Sequence, residues 1–412
     1  MLRKPVLGWA MYDWANSAYA TTVMAGFFPV FFRTFWSGDS AETTFRLGLT
    51  NSLASLTIAL MAPVLGAIAD RGGRRKGFLY SFAALGIVMT ACLFMVAQGQ
   101  WQAAALAYGL ATIGFAGSVV FYDSLLVDVA EPEEYEWVSS LGIGLGYLGG
   151  GLLFALNVLM VRDPAMFGLA DANEAVRYAF LSVGVWWAIF TIPIALHVRE
   201  DPTANRAPGL TAVRDGLRQF AGTLREVRKQ SNLLWFLAAY WLYIDGVYTI
   251  IKMAVDYGMS LGIEPSDLLF ALLVTQFVGF PSAIVFGWFG ARVGARAGLF
   301  VAIGVYLAVT VWATQLEDAS QFFGVAIVIG MVQGGVQSLS RALYARLIPP
   351  DKSGEYFGFF NMLGKFAAVL GPVLSGWVTL YTGSGRAGIL SIAVLFIVGA
   401  ALLTRVKPAP VS

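Results

Sequence analysis

GAIADRGGRRKG (residues 66–77) and GWFGARVGARAG (residues 287–298) are two versions of one polar loop. Gly66/Gly287, Arg71/Arg292, Gly73/Gly294, Arg75/Arg296 and Gly77/Gly298 coincide at a constant offset of 221 residues. The same offset places Glu134-Tyr135 on Glu355-Tyr356 and Gly150 on Gly371. An offset that recurs at separated points marks an internal duplication. Each loop lies between long apolar runs, so the chain reads as two like halves built from hydrophobic segments.

Composition says where those segments reside. The 412 residues are 58% hydrophobic and 13% charged, with a mean hydropathy of +0.70. Soluble domains carry about twice that charged fraction. Apolar runs of about 20 residues, enough to cross roughly 30 Å of hydrocarbon, follow one another almost without pause. Only structures that close their own backbone hydrogen bonds survive in lipid. The expected class is an all-α membrane protein with twelve spans, near 7–35, 46–69, 77–98, 102–128, 138–160, 176–198, 232–257, 266–290, 298–315, 320–346, 356–381 and 386–405. Arg3 and Lys4 precede the first run, but its length and Asp13 point to a retained helix rather than a cleaved leader.

Lys and Arg set the orientation. One side collects Arg3, Lys4, Arg71, Arg74, Arg75, Lys76, seven basic residues between Arg199 and Lys229, and Arg292, Arg296, Arg341, Arg346, Lys352, Arg405 and Lys407. The other side holds Arg33, Arg46, Arg162, Arg177 and Arg386. Both termini are therefore expected in the cytoplasm. The longest polar segment divides the chain into a six-helix bundle (1–199), an amphipathic cytoplasmic linker (200–231) and a second six-helix bundle (232–412). Within the linker Leu210, Val213, Leu217, Phe220, Leu224 and Val227 recur at steps of three and four, which makes one apolar helix face. Parallel six-helix repeats with a site between them are a transporter architecture.

The first loop, with Gly66, Asp70, Arg71, Gly73, Arg74 and Arg75, resembles the signature loop of the major facilitator superfamily at nearly every position. The second copy is degenerate, with Ala291 where Asp70 has its counterpart. GWAMYDWANSAYATTV (8–23), VSSLGIGLGYLGGG (138–151) and GGVQSLSRALYARLIPPDKSGEYFGFFNMLGKFAAVLGP (334–372) resemble the Atg22/UMF1 branch of that superfamily. The resemblance implies two bundles rocking about a central site, and export of amino acids or similar small polar solutes. Asp123, in FYDSLL, stands where the resemblance implies an uncharged polar residue such as Asn.

Ionisable residues inside spans are functional hypotheses by default. Here they are Asp13, Asp123, Asp245, Lys252 and Lys365. Asp13 and Asp245 occupy corresponding spans and are expected to face a central cavity and exchange protons. Lys365 is placed to hold a substrate carboxylate or to neutralise an aspartate. Tyr12, Asn16 and Tyr19 share the wall of the first span, and Asn361 lies on the eleventh. Gln333, Gln337 and Arg341 recur every four residues on the tenth, with Ser338 and Ser340 alongside. Gln333 and Gln337 read as substrate contacts. Arg341, near the inner end, reads as gating, together with Asp128 and Glu131 beside the loop. Trp9 reads as an interfacial anchor.

Several chemistries find no support. GLGYLG (144–149) fits a dinucleotide fingerprint, but it lies inside an apolar span with no strand before it. Cys92 and His197 are each the only residue of their type, which excludes disulfides within the chain and Cys- or His-based metal sites. No P-loop, HExxH or GxSxG motif is present, and no basic patch interleaved with aromatics points to nucleic acid. The expectation is a cofactor-free, monomeric secondary transporter in a bacterial inner membrane. Its partners would be a small solute, protons and the bilayer. The rivals are another cargo, such as a drug, siderophore or organic acid, and a non-transporting receptor on the same scaffold.

Overall fold

The computed structural model describes residues 3–38, 41–200, 211, 215, 218, 220, 222–223, 225–260, 262–316, 318–367 and 369–407. Helices dominate. The first half contains α1 (Lys4–Ala18), α2 (Ala41–Gly72), α3 (Arg75–Cys92), α4 (Trp101–Ser124), α5 (Tyr135–Arg162) and α6 (Ala172–His197). The second contains α7 (Ser231–Ser260), α8 (Pro265–Val293), α9 (Ala295–Ala313), α10 (Ala319–Leu347), α11 and α12. Helix α11 comes in two segments, Ser353–Phe366 and Leu370–Thr382. So does α12, as Gly385–Ser391 and Ala393–Leu403.

Among the described residues, eleven helices are long and apolar enough to cross a membrane. The twelfth span is α1, which runs on through wider π-type turns (Tyr19–Phe27), a short α-helical stretch (Phe28–Phe31) and further π-type turns to Ser37. The twelve-helix expectation therefore holds. Pro5 opens α1 at a position where a missing N–H costs nothing. Asp318 opens α10 by accepting the amide of Gln321 at 2.9 Å.

Within the first half α1 packs on α5 and α6, and α4 packs on α2 and α3. Within the second, α10 packs on α8 and α9, and α12 on α7 and α9. The halves meet along two main seams, α2 against α11 and α5 against α8, while α10 leans on α5 and α11 on α4. Small residues permit the close approach. A Cβ on Gly66 would sit 2.2 Å from the Gly354 carbonyl oxygen, and one on its repeat partner Gly287 would sit 2.5 Å from the Ser140 side chain. The duplicated loops turn alike: Gly73 and Gly294 both hold positive φ, 57° and 90°, where a side chain would be strained.

Most of the 200–231 linker lies outside the described residues. Its described positions from 211 to 227 are helical. Phe220 stacks on Phe359 at 5.5 Å, and Glu226 pairs with Lys352 at 2.9 Å.

Candidate functional site

At the end of the molecule that carries the termini, the first loop bolts the halves together. Asp70, buried at the close of α2, accepts the backbone N–H groups of Gly354 (3.0 Å) and Glu355 (2.8 Å). A carboxylate there satisfies amides that the first turn of α11 leaves without partners and meets the positive end of its dipole. Arg75 fans out beside it. It pairs with Asp128 at 3.0 Å, Glu200 at 3.4 Å and Asp70 at 3.8 Å, and it donates to Ser353 of the second half. Asp70 and Asp128 both lie against Arg75, and Glu131, named with them as gating, is the exception. It is exposed, and its N–H is accepted by Glu134 in a short capping turn. Glu200, just past α6, stands beside Arg75 instead and also accepts the Arg75 amide at 2.6 Å. Arg71 and Arg74 are exposed, so the charge lock rests on Arg75.

On the α5 side the degenerate loop supplies no carboxylate. There Arg346 of α10 grips Glu136 of α5 in a two-pronged pair, 2.8 Å on each prong. Glu136 is buried and Arg346 half-buried. Neither residue stands out in the sequence, because each sits among the ordinary charges of a helix end.

Deeper between the bundles lies a second cluster. The Arg341 guanidinium meets Asp123 at 2.9 Å and Asp13 at 3.6 Å, and donates to the Ser139 hydroxyl and carbonyl, each at 2.8 Å. It lies over Trp9 (4.9 Å) and Tyr122 (5.3 Å), whose rings stack at 4.3 Å. The Tyr122 hydroxyl donates to Asp13 at 2.9 Å, and the Asn361 amide donates to Asp123 at 3.1 Å. Helices α1, α4 and α5 of one half thus converge on α10 and α11 of the other. Gly142 makes the room, since a Cβ there would stand 2.6 Å from the Tyr122 hydroxyl and 3.1 Å from Asp13.

This geometry redistributes the expected roles. Arg341, expected near the inner end of its span, is at the heart of the carboxylate cluster. Trp9 is fully buried beneath it and is no interfacial anchor. Tyr12 is buried with its ring tilted against Tyr122 at 5.4 Å. Asn16 is buried one turn from Asp13, and its amide nitrogen has no hydrogen-bond partner among the described residues. Tyr19 turns away into the first bundle and shares a hydrogen bond with Thr112 at 2.9 Å. Gln333 and Gln337 are half-buried on α10, and their side chains make no hydrogen bond among the described residues. Lys365 is half-buried in the first segment of α11. The side chain of Lys252 lies outside the described residues.

Asp245 calls for the largest correction. It is completely buried, accepts the amides of Leu370 (2.9 Å) and Gly371 (2.8 Å), and receives the Thr249 hydroxyl at 3.1 Å. It is the N-terminal cap of the second α11 segment. The repeat places Asp13 and Asp245 in like spans, but their partners differ.

Comparison with known proteins agrees with this architecture. A family profile described as "Vacuole effluxer Atg22 like" matches residues 42–136 and 127–409. An uncharacterized MFS-type transporter of Bacillus subtilis, YxiO, is 36% identical over 97% of this chain and 94% of its own length. Autophagy-related protein 22-1 of Emericella nidulans is 21% identical over 95% of this chain and 88% of its own. Among solved structures, the proton:xylose symporter XylE superposes with a TM-score of 0.71 at 12% identity, covering 98% of this chain and 95% of XylE. The human organic anion transporter MFSD10 does so with a TM-score of 0.74 at 15% identity, covering 97% and 99%. At such identities the two structures speak for the fold alone.

Proposed function

This chain belongs to the Atg22-like family of major facilitator transporters, and on that premise we propose that it exports amino acids or similar small polar solutes by alternating access, with protons exchanged at its buried carboxylates. The observation that carries the proposal is the Asp13–Arg341–Asp123 cluster. Two carboxylates share one guanidinium, so with both ionised the group holds one negative charge in excess. Buried charge is costly unless it is compensated. A proton on Asp13, or an ammonium group beside it, brings the cluster to neutrality and weakens the hold of Arg341 on the first half. Asp123 is clamped by Arg341 and Asn361, whereas Asp13 sits farther from the guanidinium and keeps 10% of its side-chain surface open. Asp13 is therefore the exchanging member.

In this reading the bolts at the termini end close the cytoplasmic side of a bacterial inner-membrane carrier, and the carrier works as a monomer. Release at Arg341 and then at Asp70 and Arg75 opens that side to load cargo. The family's description as an effluxer supports export. The test is counterflow of labelled amino acids in proteoliposomes, with and without an imposed pH gradient. The expected result is counterflow, accelerated by the gradient in the parent and indifferent to it in Asp13→Asn. Absence of counterflow with every amino acid removes the cargo assignment. Parent flux that ignores the gradient removes the proton.

A further inference from the structure

We propose that Asp245 is a positioning residue that fixes the far segment of α11 to α7, so that the far segment stays with its own bundle while the near segment swings with the gate. On either side of the junction between the two segments the described amides have different partners. The Ala367 amide still reaches Leu363 at 2.8 Å, but Leu370 and Gly371 donate to the Asp245 carboxylate instead of to carbonyls one turn back. Pro372 has no N–H to place, and the ladder resumes at Val373, which donates to Val369 at 3.3 Å. Val369, at the start of the far segment, stays in the right-handed helical region but at a wide φ of −117°, with ψ −46°. Unpaired amides at membrane depth are costly. Asp245 removes that cost and so makes a permanent break tolerable.

The contacts divide at the same place. The near segment, Ser353–Phe366, packs on α2 and α4 of the first half, and also on α7. It carries the links that cross between bundles, Asp70 to the Gly354 and Glu355 amides and Asn361 to Asp123. The far segment, Leu370–Thr382, packs on α7 and the first piece of α12, both of its own half. Its fit there is close: a Cβ on Gly371 would lie 1.9 Å from the Thr249 hydroxyl, and one on Gly388 of α12 would lie 2.1 Å from the Thr379 hydroxyl. The repeat shows that the break is specific. Gly150, the counterpart of Gly371, lies in α5, which runs unbroken for 28 residues. One helix is thus capped by two carboxylates from different bundles. Opening the gate breaks the Asp70 cap and leaves the Asp245 cap in place.

The test uses pairs of spin labels in the full chain, with Cys92, the only cysteine, replaced by Ser. One pair, Asp351→Cys with Ser81→Cys, reports the near segment against the first half. The other, Tyr381→Cys with Val311→Cys, reports the far segment against its own bundle. All four positions are exposed. In Asp70→Ala the first distance distribution shifts by more than its parental width and the second keeps its parental form. In Asp245→Ala the second shifts or broadens and the first does not. If Asp245→Ala fails to fold, Asp245→Asn, which retains one acceptor oxygen, replaces it with the same expectation. Any other pattern overturns the proposal: both pairs moving together in either variant would mean one rigid helix, and a pair that ignores loss of its own carboxylate would mean that the carboxylate is no anchor.

Discussion

Asp70 and Asp245 do the same local chemistry at two places on one helix. Each is buried and accepts two consecutive backbone amides at 2.8–3.0 Å. They differ in where the carboxylate comes from. Asp70 reaches across from the first half, so its bonds can form only when the bundles are together at that end. Asp245 comes from α7 of the same half, so its bonds need not break as the bundles rock. The difference teaches that a capping carboxylate is a latch or a rivet according to whether its helix and its amides belong to one moving body or to two. Bonds across bodies tune which conformation is populated, and bonds within a body set stability.

The severest way to break this distinction is at Arg341, which crosses the bundles and also neutralises buried charge. Arg341→Met leaves Asp13 and Asp123 buried without a cation, and is expected to cost about 3–5 kcal/mol. Thermal unfolding in detergent measures it. Arg341→Lys recovers only part of the loss, because an ammonium cannot serve Asp123, Ser139 and the Trp9–Tyr122 face together.

Next in size is a pair of glycines. Gly371→Ala drives a methyl group into Thr249 within one body, at an expected cost of about 1–3 kcal/mol in the same unfolding measurement. Gly66→Ala presses on the Gly354 backbone across bodies. It should instead open the gate, so that a cysteine placed at the buried Ser353 is labelled several-fold faster by a polar maleimide. The distinction between latch and rivet fails if the two variants exchange effects.

Smaller changes sharpen it. Asp245→Asn weakens a cap and should lower stability by about 1 kcal/mol. Asp70→Asn should raise labelling at Ser353Cys with little change in the unfolding midpoint. The smallest effect is expected from Ala291→Asp, which restores the carboxylate missing from the second loop. The position is exposed, and the flanking Gly290 lies against Glu136, which Arg346 already neutralises, so the new charge has no partner waiting in the seam. Stability should change by no more than about 0.5 kcal/mol. An unfolding shift well above that would mean that the second seam also depends on a loop carboxylate.

Much of the scaffold was legible because it rests on local periodicity. Apolar runs of membrane length, their Lys and Arg asymmetry and the 221-residue offset are properties of neighbouring residues, and they led to twelve spans in two like halves. The turn of the signature loop was legible for the same reason, since Gly73 turns on its own sequence, whereas Asp70 and Arg75 find their partners across the fold. The candidate site was legible only in part. Asp13, Asp123, Arg341 and Asn361 were all marked as polar residues in apolar helices, yet nothing in the sequence joined them. Asp245 lies in the seventh span, the counterpart of the first in the repeat, and from that correspondence it passed for a second Asp13.

By itself, then, the sequence determined the class, the number of spans, the duplication and the family, since these follow from composition and spacing along the chain. Only the tertiary structure decided what each buried charge does. Arg341 finds Asp123 across 218 residues of chain, and Asp245 finds the Gly371 amide across 126. The physical reason is that a carboxylate in an apolar helix is driven to whatever donor the packing brings within about 3 Å, and packing is settled by every helix together.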